Sequence, residues 1–354
     1  MRRLSDKLAH IDAALDGLSE VAGRDRAGAL TLADLRLEPT ALPECDLDAI
    51  DASLELVGKR VSAPIMISPM TGGLARGGDL NRRMARAAEA VGLAFGVGSQ
   101  RVALEKPERA RDFQLRDVAP TIPLFANLGA VQLVKGYDAS DARRAVEMIE
   151  ADALFLHLNP VQELVQEGGD VAWTGVLRAI EAVCSELSRE RVPVFAREVG
   201  FGLGARDAGR LRDAGVAGLD CAGGGGTSWS RVEGRVASGD RARRLGEVFA
   251  DWGLTTPEAV LAVRSEVRDL PLIASGGVRS GLDAMKLVAL GATVAGMASP
   301  ILRAAADSEE ACLAYVEQVV LEAKATMFAC GAATIDAFRR QVRFVQPAAL
   351  PRAP

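Results

Sequence analysis

The chain has 354 residues, 49% of them apolar and 25% charged, with 42 Lys and Arg against 47 Asp and Glu and a net charge of −5. This is a globular balance with core enough for one large or two ordinary domains, and the acidic total argues against a general nucleic-acid binder, which needs a basic face. Five cysteines (Cys45, Cys184, Cys221, Cys312, Cys330) lack C-x-x-C spacing and no 18-residue apolar run occurs, so reduced thiols in a cytoplasmic, non-membrane protein are expected.

In chain order, a charged amphipathic stretch (Leu4–Leu15), polar loops and Leu54–Val61 read as an N-terminal extension over residues 1–60. A repeating pattern then begins. Strands are predicted at Pro64–Met70, Ala94–Ser99, Pro123–Asn127, Ala153–Asn159, Val192–Val199, Gly218–Ala222, Leu272–Ser275 and Thr293–Ala298. Helical spacing falls between them at Leu80–Val91, Pro107–Val118, Asp141–Glu150, Val176–Ser188, Ala205–Ala214, Pro257–Val267 and Leu282–Leu290, with a last helix over Glu309–Phe328. Strands alternating with helices predict an α/β fold, a closed (β/α)8 TIM barrel over residues 61–340. An open doubly wound sheet would want a G-x-G-x-x-G turn near the first strand, and none is there. A C-terminal tail covers 341–354, with its Pro-rich end, Pro347–Pro354, expected to be disordered.

In such a barrel, chemistry sits at the carboxyl ends of the strands. The polar residues there are Thr71, the Ser99-Gln100-Arg101 run, Asn127, His157 with Asn159, Arg197-Glu198 and the loop Gly223–Thr227. Arg101 reads as a surface arginine beside a helix cap or, with Asn159, Lys7 and His10, as a diphosphate clamp. His157 reads as a buried structural histidine or as a ligand contact. Glu163, one carboxylate on the loop after the fourth strand, is either solvated or binds Mg²⁺ together with substrate phosphate oxygens. Gly223–Gly226 with Thr227 is a flexible lid or a close backbone approach to a phosphate, and Gly276-Gly277 supplies a second glycine cup.

Together these residues resemble the type 2 isopentenyl-diphosphate Δ-isomerases, an FMN-dependent family. The resemblance is carried by Met70-Thr71-Gly72-Gly73 with Asn81, Gly96-Val97-Gly98-Ser99-Gln100-Arg101, and Ala126-Asn127-Leu128-Gly129. His157-Leu158-Asn159-Pro160-Val161-Gln162-Glu163, Glu198-Val199-Gly200, Gly225-Gly226-Thr227-Ser228-Trp229 and Ser275-Gly276-Gly277 complete it. The His-x-Asn-Pro-x-Gln-Glu and Gly-Gly-Thr-Ser-Trp stretches are the specific ones; the others occur more widely in FMN barrels.

The resemblance implies isomerisation of isopentenyl to dimethylallyl diphosphate in isoprenoid biosynthesis, with Mg²⁺ and an FMN reduced by NADPH. It implies that Met70, Thr71, Ser99, Asn127, Arg197 and Thr227 hold the flavin and that Gly276, Gly277, Ala298 and Ser299 bind its phosphate. Lys7, His10, Ser99, Gln100, Arg101, Asn159 and Gln162 would contact substrate, Gln162, His157 and Arg197 would serve catalysis, and Glu163 would bind the metal. A homotetramer or homo-octamer is implied as well. The chain departs from the family pattern at Arg197, where the family has Lys, at Asp6, where it has Arg, and at Pro69, where it has a small residue. Two other functions compete: a net-redox FMN-barrel oxidoreductase, and a repurposed isomerase relative with an altered substrate. The 2-hydroxy-acid oxidases use a histidine on a late loop, and neither His10 nor His157 is on one.

Overall fold

Strands of three to six residues, all parallel, close into an eight-membered barrel in the order in which the chain makes them. The structure, a computed structural model, describes residues 12–13, 15–20, 28–70 and 75–345. A hairpin comes first, β1 (Leu54–Leu56) against β2 (Lys59–Val61). The barrel follows as β3 (Ile65–Ile67), β4 (Ala94–Gly96), β5 (Leu124–Gly129), β6 (Ala153–Leu158), β7 (Val194–Glu198), β8 (Gly218–Asp220), β9 (Leu272–Ser275) and β10 (Val294–Met297). β10 pairs back onto β3 and shuts it. Each expected barrel strand is present, most of them trimmed at the ends.

The helices are α1 (Ala75–Val91), α2 (Arg101–Glu105), α3 (Ala139–Met148), α4 (Pro160–Val165), α5 (Val176–Arg189), α6 (Ala205–Asp213), α7 (Trp229–Val236), α8 (Asp240–Val248), α9 (Thr256–Glu266), α10 (Gly281–Leu290), α11 (Ser299–Asp307), α12 (Glu309–Ala329) and α13 (Ile335–Gln341). The expected helix over 107–118 is corrected. Lys106 is extended (φ −135°, ψ 90°), as the residue before a proline tends to be, and only a 3-10 stretch, Pro107–Asp112, follows it. Among the described residues no helix is long and apolar enough to cross a membrane.

The side-chain period of two stacks the barrel interior in layers. The lower layer is apolar: Met66, Phe125, Phe155, Phe195, Ile273 and Val294, joined from below by Leu56 and Val61 of the hairpin. Phe125 stacks on Phe155 at 4.6 Å between centroids, and Phe195 meets both edge-on. The hairpin therefore plugs the amino-terminal end of the barrel. Two residues further along each strand come Ser68, Gly96, Asn127, His157, Arg197, Asp220, Ser275 and Gly296. Apolar floor, polar roof: that step sets the height of the site.

At the other end of the chain, residues 342–345 are described, and Phe344 bridges to Leu37 while Val345 N–H donates to Arg36 O. Residues 346–354 lie outside the described residues.

Candidate active site

A cavity open to solvent lies over the polar layer at the carboxyl ends of the strands. Ser68, Arg197, Ser275 and Gly296 floor it, and Met70, Thr227, Gly276, Gly277, Ala298 and Ser299 wall it. β9 runs into Gly276 and Gly277, both at positive φ (104° and 74°). A Cβ on Gly277 would lie 2.5 Å from Gly225 O, so the β8 and β9 loops meet backbone to backbone. β10 runs through Ala298 into α11, whose second residue is Pro300, leaving the N-terminal amides of that helix at the cavity wall. Backbone N–H groups and a helix N-terminus in this arrangement hold anions.

A carboxylate sits in the cup. Glu20 accepts from Ser299 Oγ (2.9 Å), Arg279 Nη2 (2.8 Å) and Arg303 Nη2. Burial pushes its carboxyl up, but these donors outweigh burial and hold it below its ordinary value. The segment carrying Glu20 is tied down along the β8 loop: Ser228 N–H donates to Ser19 O, Glu20 bridges to Thr227, and Arg235 grips Asp16 with both terminal nitrogens (3.0 and 2.6 Å). The Gly223–Gly226 loop is pinned too, through Gly223 N–H to Ser275 O and Gly224 N–H to Leu254 O, rather than free as a lid.

Arg197 projects from β7 with its guanidinium carbon 5.7 Å from the Phe155 ring centroid, and its Nη1 donates to Asp220 Oδ2 at 2.8 Å. Both residues are buried. Burial raises the Asp220 carboxyl, while Arg197, Ser275 Oγ–H (2.7 Å) and Ala222 N–H pull it back. Arginine thus supplies a permanent, hydrogen-bonded positive charge at the cavity floor. Next to it, one oxygen of Glu198 accepts the N–H groups of Val199, Gly200, Phe201 and Gly202. Burial pushes this carboxyl up to about 7 against the four donors, which fix the loop whose Val199 and Gly200 line the cavity.

Opposite, Asn127 Nδ2 donates to Val97 O (3.0 Å), so its Oδ1 faces His157 Nδ1 at 2.8 Å as an acceptor. This orientation places the proton on Nδ1. α4 begins with Asn159 as its cap and Pro160 in its first turn. Asn159 Nδ2 donates to Gln162 Oε1 (3.2 Å) and Glu163 Oε1 (3.0 Å), and the other Glu163 oxygen accepts Asp170 N–H at 2.7 Å. Gln162 Nε2 donates to Glu233 Oε1 (2.8 Å) on α7. Asn159 Oδ1 is buried with no hydrogen-bond partner. A buried, unpartnered carbonyl oxygen beside a buried carboxylate suits a hard cation. Among the described residues no three His, Cys, Asp or Glu side chains group as a metal site, so such a cation would take further oxygens from its ligand.

The structure therefore gathers Met70, Arg197, Thr227, Gly276, Gly277, Ala298 and Ser299 around one cavity, and Asn159, Gln162 and Glu163 on one helical turn. Ser99 and Asn127 do not line the cavity, and Asn127 serves His157 instead. The expectation for Gln100 is corrected. It is fully buried, its Oε1 accepting Asn127 N–H and its Nε2 donating to Ala145 O, because it turns into the wall between β5 and α3. Thr71, Lys7, His10 and the departure at Asp6 lie outside the described residues.

Sequence reasoning missed Glu233, Glu20, Asp170, Lys135 and Asp220. Asp220 was recoverable, being two residues along β8 from Gly218, whose Cβ would meet the inward Phe195 ring. The others come from loops and helices whose facing no local pattern gives. α7, which carries Glu233, lies flush on α8 because Gly234 faces Gly246: a Cβ on Gly246 would be 2.7 Å from Gly234 Cα.

The sequence profile described as FMN-dependent dehydrogenase matches residues 13–117 and 188–344. The chain is 48% identical over 344 residues to a Stutzerimonas stutzeri protein named isopentenyl-diphosphate delta-isomerase, covering 97% of each. It is 50% identical over 332 residues to one of the same name from Xanthobacter autotrophicus, covering 94% of each. Among solved structures, one of mandelate oxidase with 2-hydroxy-phenylacetamide superposes with a TM-score of 0.63 at 20% identity, over 97% of this chain and 98% of that one. Another, with (S)-mandelic acid, gives 0.63 at 21% over 96% and 94%. At that identity the likeness is one of fold.

Proposed function

Because the chain belongs to the FMN-dependent dehydrogenase family, and within it to the isopentenyl-diphosphate delta-isomerases, we propose that it converts isopentenyl diphosphate to dimethylallyl diphosphate. FMN would lie in the cavity and Mg²⁺ would sit at Glu163. The observation that carries this reading is the convergence of Met70, Arg197, Thr227, Gly276, Gly277, Ala298 and Ser299, from the ends of separate strands, on one cavity. Ser299 suits the cofactor phosphate, since with Arg279 and Arg303 it already holds an anionic group, the Glu20 carboxylate, which the phosphate would replace.

Moving a double bond by one carbon requires a proton added at one carbon and another removed from the allylic position. When bound, a reduced flavin supplies an acid/base group against the alkene, a task that ordinary side-chain acids perform poorly. Arg197 keeps positive charge at the cavity floor, where it favours an anionic ring system. Asn159 and Arg101 would take the diphosphate, and Glu163 with Asn159 Oδ1 the metal that neutralises it. Gln162, held between Asn159 and Glu233, and His157, held by Asn127, keep fixed polar atoms beside the substrate. Both would be positioned before substrate arrives. NADPH would charge the flavin once rather than at every turnover. A cytoplasmic homotetramer or homo-octamer belongs to the same reading and is checked by sedimentation.

The test is direct. Purified protein should be yellow, and after reduction it should convert isopentenyl diphosphate in Mg²⁺ without stoichiometric NADPH loss. A colourless protein that takes up no added FMN overturns the reading. NADPH consumed mole for mole with product would assign net redox chemistry instead.

A further inference from the structure

Across the mouth from the glycine cup, donors from two loops converge on one carboxylate. Asp170, in the loop after α4, lies 3.4 Å from Lys135 Nζ and 3.8 Å from Arg101 Nη1, and Gln132 Nε2 donates to it at 3.2 Å. Arg101 opens the helix after β4; Gln132 and Lys135 belong to and end the 3-10 turn after β5. The backbone of Asp170 is fixed on both sides. Its N–H is on Glu163 Oε2 and its C=O accepts the Trp173 indole N–H at 2.8 Å. Only the side chain is left to yield. One carboxylate, with a single charge, thus lies against two cations and an amide beside the buried Glu163–Asn159 turn, Arg101 having a second carboxylate, Glu105, at 3.6 Å.

A diphosphate carries two to three charges and more acceptor oxygens than Asp170. It competes well for the same donors, because charge-assisted bonds strengthen with acceptor charge. Lys135 is well placed for the exchange, being 39% exposed on a flexible stem that can follow a moving anion. We propose that Lys135 is a substrate-binding residue, gripping the diphosphate jointly with Arg101, and that Asp170 is the counter-ion both cations release when substrate enters. This deepens the isomerase reading and rests on it. The sequence resemblance assigns no role to Lys135, Gln132 or Asp170.

The experiment is calorimetric titration of FMN-loaded protein with inorganic pyrophosphate in Mg²⁺, paired with steady-state kinetics. Lys135→Met should weaken pyrophosphate binding about tenfold and raise KM by the same factor, with kcat changed less than about twofold. Lys135→Arg should restore most of the affinity. Asp170→Asn should tighten pyrophosphate about threefold by removing the competing charge. The inference is overturned if Lys135→Met leaves affinity and KM unchanged while Arg101→Met weakens both; the isomerase reading then survives. Weaker binding by Asp170→Asn would make Asp170 a structural brace and sink the exchange. Wild-type protein that binds no pyrophosphate removes the clamp altogether, and the isomerase reading with it.

Discussion

On the side of the mouth built by β8, β9 and β10 the chain presents mostly backbone. Gly225, Gly226, Gly276 and Gly277 press their main chains together, and α11 opens beside them. On the side built by β4, β5 and β6 it presents side chains: Arg101, Gln132, Lys135, Asn159, Gln162 and Glu163, tied to one another through carboxylates. A wall of backbone recognises a ligand by shape and fails when atoms are added. A wall of side chains recognises it by charge and fails when atoms are removed. The same barrel thus offers a wall shaped by backbone on one side and a wall of paired charges on the other.

Arg197 stands on β7, between the two sides, and removing it should give the largest effect. Arg197→Met strands Asp220 as a buried, unpaired charge, which should cost about 3–5 kcal/mol of stability in denaturant melts. Arg197→Lys keeps the charge and should cost far less. If both variants melted like the parent, the pair would contribute nothing to folding.

Gly277→Ala breaks the comparison most directly. A methyl group at φ 74° and 2.5 Å from Gly225 O forces the two loops apart. FMN affinity, read by fluorescence quenching, should fall about 100-fold or more with the early side intact. An alanine variant that binds FMN normally would show that the cup is not shaped by backbone contact. Glu163→Gln sharpens the other half: Mg²⁺-dependent turnover should fall about tenfold or more while FMN binding stays as it was. Loss of flavin from this variant would mean the two sides are not separate.

The smallest effect concerns Glu20. Its carboxyl lies below the ordinary 4.5, so its contribution to docking the segment at 15–20 is complete above that value and is lost as pH falls through the lower folded value. Hydrogen-exchange protection of that segment, taken relative to the intrinsic rate, should fall on acidification, and Glu20→Gln should reduce that dependence to the part Asp16 contributes, at a cost under about 1 kcal/mol. Protection independent of pH in the parent would place the anchoring in the Ser228 N–H to Ser19 O bond instead.

The barrel was legible because parallel strands buried on both faces are short apolar runs, and each ended in punctuation the chain spells out. The cavity wall was legible for a related reason: glycines and a Ser-Pro helix start have few other uses at strand ends. Gln100 misled because it precedes Arg101, yet it caps the start of α2 (φ −85°, ψ 3°) and its side chain turns back onto Asn127 N–H and Ala145 O. Helix α7 and Glu233 were invisible, since Trp229–Val236 is a short helix following a glycine loop and its facing depends on α8. Lys135 and Asp170 meet only because three loops come together in space.

That dependence on α8 reaches beyond α7 itself. Gly234 adjoins Glu233 in sequence and touches Gly246 across the helix pair, so the spacing between two outer helices fixes where the Glu233 carboxylate stands against Gln162. A single methyl placed there, far from any ligand, would act like a shim under one leg of a table and tilt the surface on which substrate is set.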